Sequence, residues 1–146
     1  MATDVTPSLV ELKDTIRRAG MRSTAPRLAV LKRLSVAGTP VSHRELFEEL
    51  AALGMDRTTV FRNLADLTEA GLVARTDLGD HVWRFELKRP RNGDTRHHPH
   101  FTCTDCGAVA CLPEVTLKVK KGRGVPRSLL RQKVEIQLRG LCDHCA

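Results

Sequence analysis

Two Cys-x-x-Cys pairs, Cys103-Thr-Asp-Cys106 and Cys142-Asp-His-Cys145, carry the most specific chemistry in the chain. Each pair brings two sulfurs close enough to occupy two corners of a tetrahedron, and two pairs together match the all-thiolate coordination preferred by structural Zn²⁺. Gly107 follows the first pair and supplies the φ > 0 freedom that a tight turn around a bound thiolate needs. His144 is an alternative donor to Cys142 or Cys145. A disulfide framework would need an oxidising compartment, and nothing in the sequence marks export. A thioredoxin-like site would use one such pair, not two. The segment between the pairs must fold back so that the end of the chain meets its middle.

The second group of potential ligands straddles the stretch 88–100. His98-Pro-His100 places two imidazoles on one side of an extended segment, because side chains alternate along a strand. Glu86 lies shortly before them.

These residues need elements to hold them. Ser8-Leu-Val-Glu11 and Ser42-His-Arg-Glu45 are capping boxes opening helices that carry Leu9, Leu12 and Ile16, and Leu46, Leu50 and Leu53. Between them a helix opens near Thr24–Pro26 with Leu28, Leu31 and Leu34 facing inward. A fourth follows Asp56 and buries Val60, Leu64 and Leu67. Gly20, Gly38, Gly54 and Gly71 are expected to end the four helices. The period then changes to two: Leu72–Thr76 and Val82–Leu87 flank Leu78-Gly-Asp80 as a hairpin. Helices followed by a hairpin predict a winged helix-turn-helix at 1–87. Lys88–Arg96 has neither periodicity nor apolar content and reads as a linker. Residues 97–146 form a second module with strands at Phe101–Cys103, Val109–Leu112 and Val115–Val119. A turn at Gly122–Pro126, a helical turn at Arg127–Gln132 and a strand through Val134, Ile136 and Leu138 follow. With so little apolar surface, this module needs zinc and dimerisation to be stable. The fold class is α+β: a winged helix, then a small α/β dimerisation domain with a four-cysteine zinc site.

The chain has 146 residues, 41% hydrophobic and only 3% aromatic, with a net charge of +7. That charge permits a nucleic-acid partner, but residues 1–87 hold twelve Lys/Arg against twelve Asp/Glu. Locally, seven basic residues from Lys13 to Arg33 face one acid, Asp14. No apolar run is long enough to span a bilayer and no leader is evident, so a reducing cytoplasm is expected. In a helix-turn-helix the second helix presents its N-terminal residues to base edges in the major groove. Here that helix is Arg57–Asp66, with Thr58, Thr59, Arg62, Asn63 and Asp66 expected outward and Phe61 at the edge of the same face.

Arg22-Ser-Thr-Ala-Pro-Arg27, Ser42-His-Arg-Glu-Leu46, Thr58-Thr-Val-Phe-Arg-Asn-Leu64, Glu69-Ala-Gly-Leu-Val73, Phe85-Glu-Leu87 and His97-His-Pro-His-Phe-Thr-Cys-Thr-Asp-Cys-Gly107 occur in that order. With these the chain resembles the ferric uptake regulator family of bacterial metal- and peroxide-responsive transcription factors, from about residue 9 to the last cysteine pair. The resemblance implies that Thr59, Phe61 and Arg62 fall on the DNA-contacting helix, and that Arg22 reaches phosphates or the minor groove. It also implies a sensor site joining Glu86, His98 and His100 across the hinge. Two departures mark that site. Pro40 replaces a His before the third helix, leaving His43 as the nearest substitute, and Cys111 replaces an acid; with His81 at the hairpin, these are the weaker candidate ligands for the metal that the resemblance implies. Phe61 stands where the family usually has Tyr. A third family metal site looks absent, since Pro99, Lys118 and Val134 occupy ligand positions beside His97.

The expected function is a homodimeric, metal-dependent regulator of metal homeostasis, more a repressor than an activator, on a palindromic double-stranded operator. It would hold structural Zn²⁺ and a second divalent ion, Zn²⁺, Fe²⁺ or Mn²⁺. A peroxide sensor using iron or manganese at the hinge is the alternative. A zinc-ribbon RNA-binding protein is more remote, because few aromatics are available for base stacking. No phosphate-cradling glycine loop, nucleophile elbow or zinc-deaminase signature points to an enzyme.

Overall fold

The computed structural model describes residues 6–88, 99–112, 114, 115, 117, 118, 120, 122–130 and 136–146. The chain divides into two compact units, Met1–Arg89 and Pro90–Ala146.

In the first unit, α1 (Leu9–Arg18) starts from a reciprocal capping box. The Ser8 amide donates to the Glu11 carboxylate at 2.6 Å, and the Glu11 amide donates to Ser8 Oγ at 3.3 Å. Leu12 and Ile16, one turn apart, bury the helix against α2 (Ala25–Val36), whose Val30, Leu31 and Leu34 are buried in turn. β1 (Val41–Ser42) leads directly into α3 (His43–Leu50), where Ser42 and Glu45 repeat the capping box. A turn of 3-10 helix, Ala51–Leu53, connects α3 to α4 (Arg57–Glu69), whose N-terminus is capped by Asp56 accepting from the Thr59 amide at 2.7 Å. Gly20, Gly54 and Gly71 take positive φ where the helices end. Gly38 does not: α2 stops at Val36 and the chain leaves through an extended Ala37, so no left-handed residue is required there.

β2 (Val73–Asp77) and β3 (Trp83–Leu87) form the expected hairpin, with Arg75 opposite Phe85. The sheet has a third strand that the periodicity does not reveal. β1 pairs antiparallel with β3, Val41 against Phe85, giving the order β1-β3-β2. One core joins helices and sheet through Leu12, Ile16, Leu31, Leu46, Leu64 and Phe85. Two aspartates fix the tip of the wing. Asp77 Oδ1 accepts from the amides of Gly79 and His81 at 2.8 and 3.1 Å, which accommodates His81 at φ 60°. Asp80 pairs with both ends of the Arg84 guanidinium at 2.8 and 2.7 Å.

In the second unit β4 (His100–Cys103) is central. It runs antiparallel to β5 (Val109–Cys111) and parallel to β6 (Gln137–Gly140), giving the order β5-β4-β6. α5 (Arg127–Leu130) lies where a helical turn is expected. Of the strand expected through Val134, Ile136 and Leu138, Leu138 lies in β6, Ile136 precedes its first residue Gln137, and Val134 lies outside the described residues. Val115, Leu117 and Lys118, expected in a strand, are in none. Among the described residues no helix is long and apolar enough to cross a membrane.

The Asp80–Arg84 pair gives a pH signature. Hydrogen bonds from Arg84 hold the Asp80 carboxyl at about 2, down from 3.8. A carboxyl whose folded pKa is depressed stabilises the fold fully above its unfolded value, and that contribution disappears as pH falls from about 4 through about 2. The pair is exposed, so Asp80→Asn should cost less than about 1 kcal/mol at neutral pH. It should also flatten the acid limb of the stability–pH curve in that window. Unchanged acid limbs in urea melts of wild type and variant would remove the pair from the account.

Candidate functional site

The parallel pairing of β4 with β6 places Cys103 against Gly140, so the turns after both strands emerge at the same edge of the sheet. The first turn carries Cys103 and Cys106; the second carries Cys142 and Cys145. Gly107 adopts φ 72°, and its amide donates to the Cys103 carbonyl at 3.1 Å, closing the first turn around its sulfurs. The Thr104 amide donates to the Gly140 carbonyl at 2.8 Å, and the Cys142 amide reaches Cys103 Sγ at 3.4 Å, locking one turn to the other.

All four Sγ atoms lie within 4.8 Å of one another, and none of the cysteines is in a disulfide. Sulfurs about 2.3 Å from one tetrahedral ion stand about 3.8 Å apart. Cys106 Sγ and Cys142 Sγ are separated by 3.7 Å. His144 is exposed, and the cysteines make up the group without it. The electrostatics also ask for a cation. Amides of Cys106, Cys142 and Asp105 lower the Cys103 thiol to about 6. The Cys145 thiol is pushed upward, chiefly by its hydrogen bond with Cys142 and then by Cys106 and Asp105. One thiolate forms easily and its neighbours then resist ionisation; a dication removes that conflict. The site fits a tetrahedral structural ion of the zinc type, which would supply a cross-link and no reactive position.

A second pair of ligands sits in the same unit. His100 and Cys111 are cross-strand partners in β4 and β5, with ligand atoms within 4.8 Å of each other. His100 is buried and Cys111 half-buried. Glu86 lies half-buried in β3 of the first unit, opposite Ala74. His98 lies outside the described residues. The other two candidates belong to no potential ligand group among the described residues. His81 is exposed at the wing tip, 3.8 Å from the Asp77 carboxylate. His43 Nε2 is 3.2 Å from the Arg57 carbonyl, where as an N–H it donates.

On α4, Arg57, Thr58, Phe61, Arg62 and Asp66 are exposed and Thr59 is half-buried. Asn63 departs from its expected outward placement. It is 8% exposed, and its side-chain amide donates to the Thr59 carbonyl at 2.8 Å. The buried stripe runs Val60, Asn63, Leu64, Leu67, so the residue three after Val60 falls on the inner face however polar it is. Asp66 is paired with Arg27 of α2 at 2.9 Å, and Arg27 also donates to the Arg22 carbonyl at 2.7 Å. Arg22 itself is exposed. Two contacts of the α3–α4 turn have no signal in the sequence, because their partners meet only in the folded unit. The Arg57 guanidinium lies 4.9 Å over the Phe47 ring, and His43 meets Phe61 edge-on with centroids 6.0 Å apart.

Serine at any one of Cys103, Cys106, Cys142 or Cys145 should remove most of the tightly held metal, measured per chain by elemental analysis after exhaustive dialysis. Cys111→Ser should retain it. A full metal complement in all four variants would show that the sulfurs do not share an ion.

The ferric uptake regulator family profile matches residues 18–125. The ferric uptake regulation protein of Pseudomonas aeruginosa is 34% identical over 134 residues, 88% of this chain and 88% of that protein. The crystal structure of the Vibrio cholerae ferric uptake regulator superposes with a TM-score of 0.63 at 27% identity, over 89% of this chain and 98% of that one. A zinc uptake regulator complexed with zinc and DNA shares the fold, with a TM-score of 0.61 at 23% identity, over 94% of this chain and 91% of that one. The α+β architecture and the four-thiol cluster agree with these likenesses, and the chain belongs to the ferric uptake regulator family of metal-responsive transcription regulators.

Proposed function

We propose that the protein is a cytoplasmic, homodimeric repressor that binds a palindromic DNA operator when a divalent metal occupies a regulatory site at its hinge. The observation that carries this reading is the exposed face of α4, where Arg57, Thr58, Phe61 and Arg62 stand clear of the core. The one acid on that face, Asp66, is already paired with Arg27. Arg can fork onto guanine, and a Thr methyl or a Phe ring can pack on a thymine methyl. The zinc uptake regulator of the same fold was solved with DNA, which supports a duplex as partner. The first unit is then the DNA-binding head, with Arg22 and Thr59 at its margin.

The second unit serves as the dimerisation domain, stapled by Zn²⁺ at the four cysteines. Val115, Leu117 and Leu141 are exposed apolar residues that a second copy would cover. The regulatory ligands are Glu86, His98 and His100, joined by Cys111, whose place opposite His100 supports its inclusion. A thiolate is softer than the acid it replaces, so Zn²⁺ is favoured over Fe²⁺ and Mn²⁺. Metal acts by binding the DNA-competent arrangement more tightly than the others. A tenfold gain in operator affinity corresponds to about 1.4 kcal/mol of coupling.

Fluorescence anisotropy on a duplex selected by the protein from a randomised pool tests this. Zn²⁺ should raise affinity at least about tenfold. The His98→Ala/His100→Ala double variant should lose that gain while keeping its four-cysteine metal. Cys111→Asp should shift the response from Zn²⁺ toward Mn²⁺. A metal response unchanged in the double variant would sink the hinge assignment.

A further inference from the structure

Phe61 is 61% exposed on an otherwise polar helix face. A ring standing in water usually samples several rotamers, and one that must meet a single methyl group in a DNA groove pays for that freedom on binding. His43 restricts it. The imidazole meets the Phe61 ring edge-on, with centroids 6.0 Å apart and planes at 78°, the arrangement aromatic quadrupoles favour. The same imidazole is fixed at its other end by Nε2, 3.2 Å from the Arg57 carbonyl. Arg57 is four residues before Phe61, so in the helical ladder that carbonyl also receives the amide of Phe61. His43 thus touches both the side chain of Phe61 and the peptide group that anchors its backbone. It is itself held at the first position of α3 by the Ser42–Glu45 capping box. Arg57 is steadied from the same helix, its guanidinium 4.9 Å over Phe47.

We infer that His43 is a positioning residue for DNA recognition, holding the Phe61 ring in the orientation that reads a thymine methyl, and is not a metal ligand. This rests on the proposal that α4 enters a duplex, and it adds a residue of α3 that touches no base. His43 belongs to no group of three potential ligands among the described residues, in keeping with such a role.

The probe is the duplex selected by the wild-type protein, compared with copies in which single thymines are replaced by uracil, which removes only the methyl. Wild type should lose roughly fourfold in affinity at the position Phe61 reads, the equivalent of one buried methyl. Phe61→Ala should bring that thymine/uracil ratio to about one. His43→Ala should lower it most of the way. The salt dependence, which counts phosphate contacts, and the Zn²⁺ response should stay as in wild type. A merely structural role would not move the ratio while sparing these. His43→Phe keeps a ring edge and His43→Gln keeps a donor, so the ratio should be partly rescued in each; both also serve if His43→Ala proves unstable. In the double variant His43→Ala/Phe61→Ala, loss beyond Phe61→Ala alone should be absent. A wild-type ratio in His43→Ala, or a zinc response lost with His43, overturns this inference and leaves DNA binding by α4 intact. A failure to select any duplex, or a ratio insensitive to Phe61→Ala, overturns the reading beneath it as well.

Discussion

Two thiol pairs can share one ion through the turns after their strands only if those strands run the same way. In the second unit that condition sets the topology. β4 and β6 lie side by side and parallel, and Cys103 faces Gly140 across the ladder. Had β6 run antiparallel, its following turn would leave at the opposite edge and the second pair would be a strand's length away. The close approach is helped at Gly140, where a Cβ would sit 3.4 Å from the Phe101 ring. The need for such a cross-link follows from the distribution of the core. The main cluster of buried apolar residues lies wholly in the first unit. Among the described residues of the second, only Pro99, His100 and Cys103 are buried. An ion bound by the four thiolates would replace the apolar burial that this unit lacks, since its binding free energy would count as folding free energy.

The first unit was legible to the extent that its signals are local. Capping boxes at Ser8 and Ser42 and the apolar spacing of α1, α3 and α4 each concern residues within one or two turns. The boxes and the buried Leu12, Ile16, Leu46, Leu50, Val60, Leu64 and Leu67 appear where the spacing puts them, whereas Leu9 and Leu53 are exposed, Leu53 in the 3-10 turn after α3. What escaped is long-range. β1 is two residues long, too short for alternation, and exists because Val41 pairs with Phe85 of the distant hairpin. Gly38 is a glycine near a helix end, yet α2 leaves through an extended Ala37. Asn63 is polar by composition and buried by geometry, since the helical period places it beside Leu64 and its amide finds an acceptor one turn back. In the second unit the four cysteines were legible as a set, because ligand chemistry fixes type and spacing. The start of β6 was not, because alternation over Val134, Ile136 and Leu138 specifies neither where pairing begins nor with which partner.

Net charge gave little guidance to the face of α4, and the structure explains why. Asp66 looks like a repulsive neighbour for a phosphate backbone, and Arg27 looks like an available cation. Each neutralises the other across α2 and α4. The face is left with Arg57 and Arg62 as its charges, and Arg57 is steadied by Phe47. Electrostatics that bear on binding therefore reside in which side chains remain uncommitted after folding, a property invisible to a sum over the sequence.

A regulator that both needs a metal to fold and responds to metal must keep the two roles chemically apart. An ion closed in by four thiolates would contribute folding free energy, so such a site would respond little to modest changes in supply. A responsive site must let its ion exchange, which calls for harder donors and for ligands drawn from segments that can separate. The proposed set of Glu86, His98, His100 and Cys111 has that character: one thiolate instead of four, two imidazoles and a carboxylate. On that proposal the ligands come from both sides of residues 88–96 in the sequence, a different kind of set from the two local Cys-x-x-Cys pairs. The single sulfur would then tune which ion is sensed, while the four-cysteine site would supply a fixed platform.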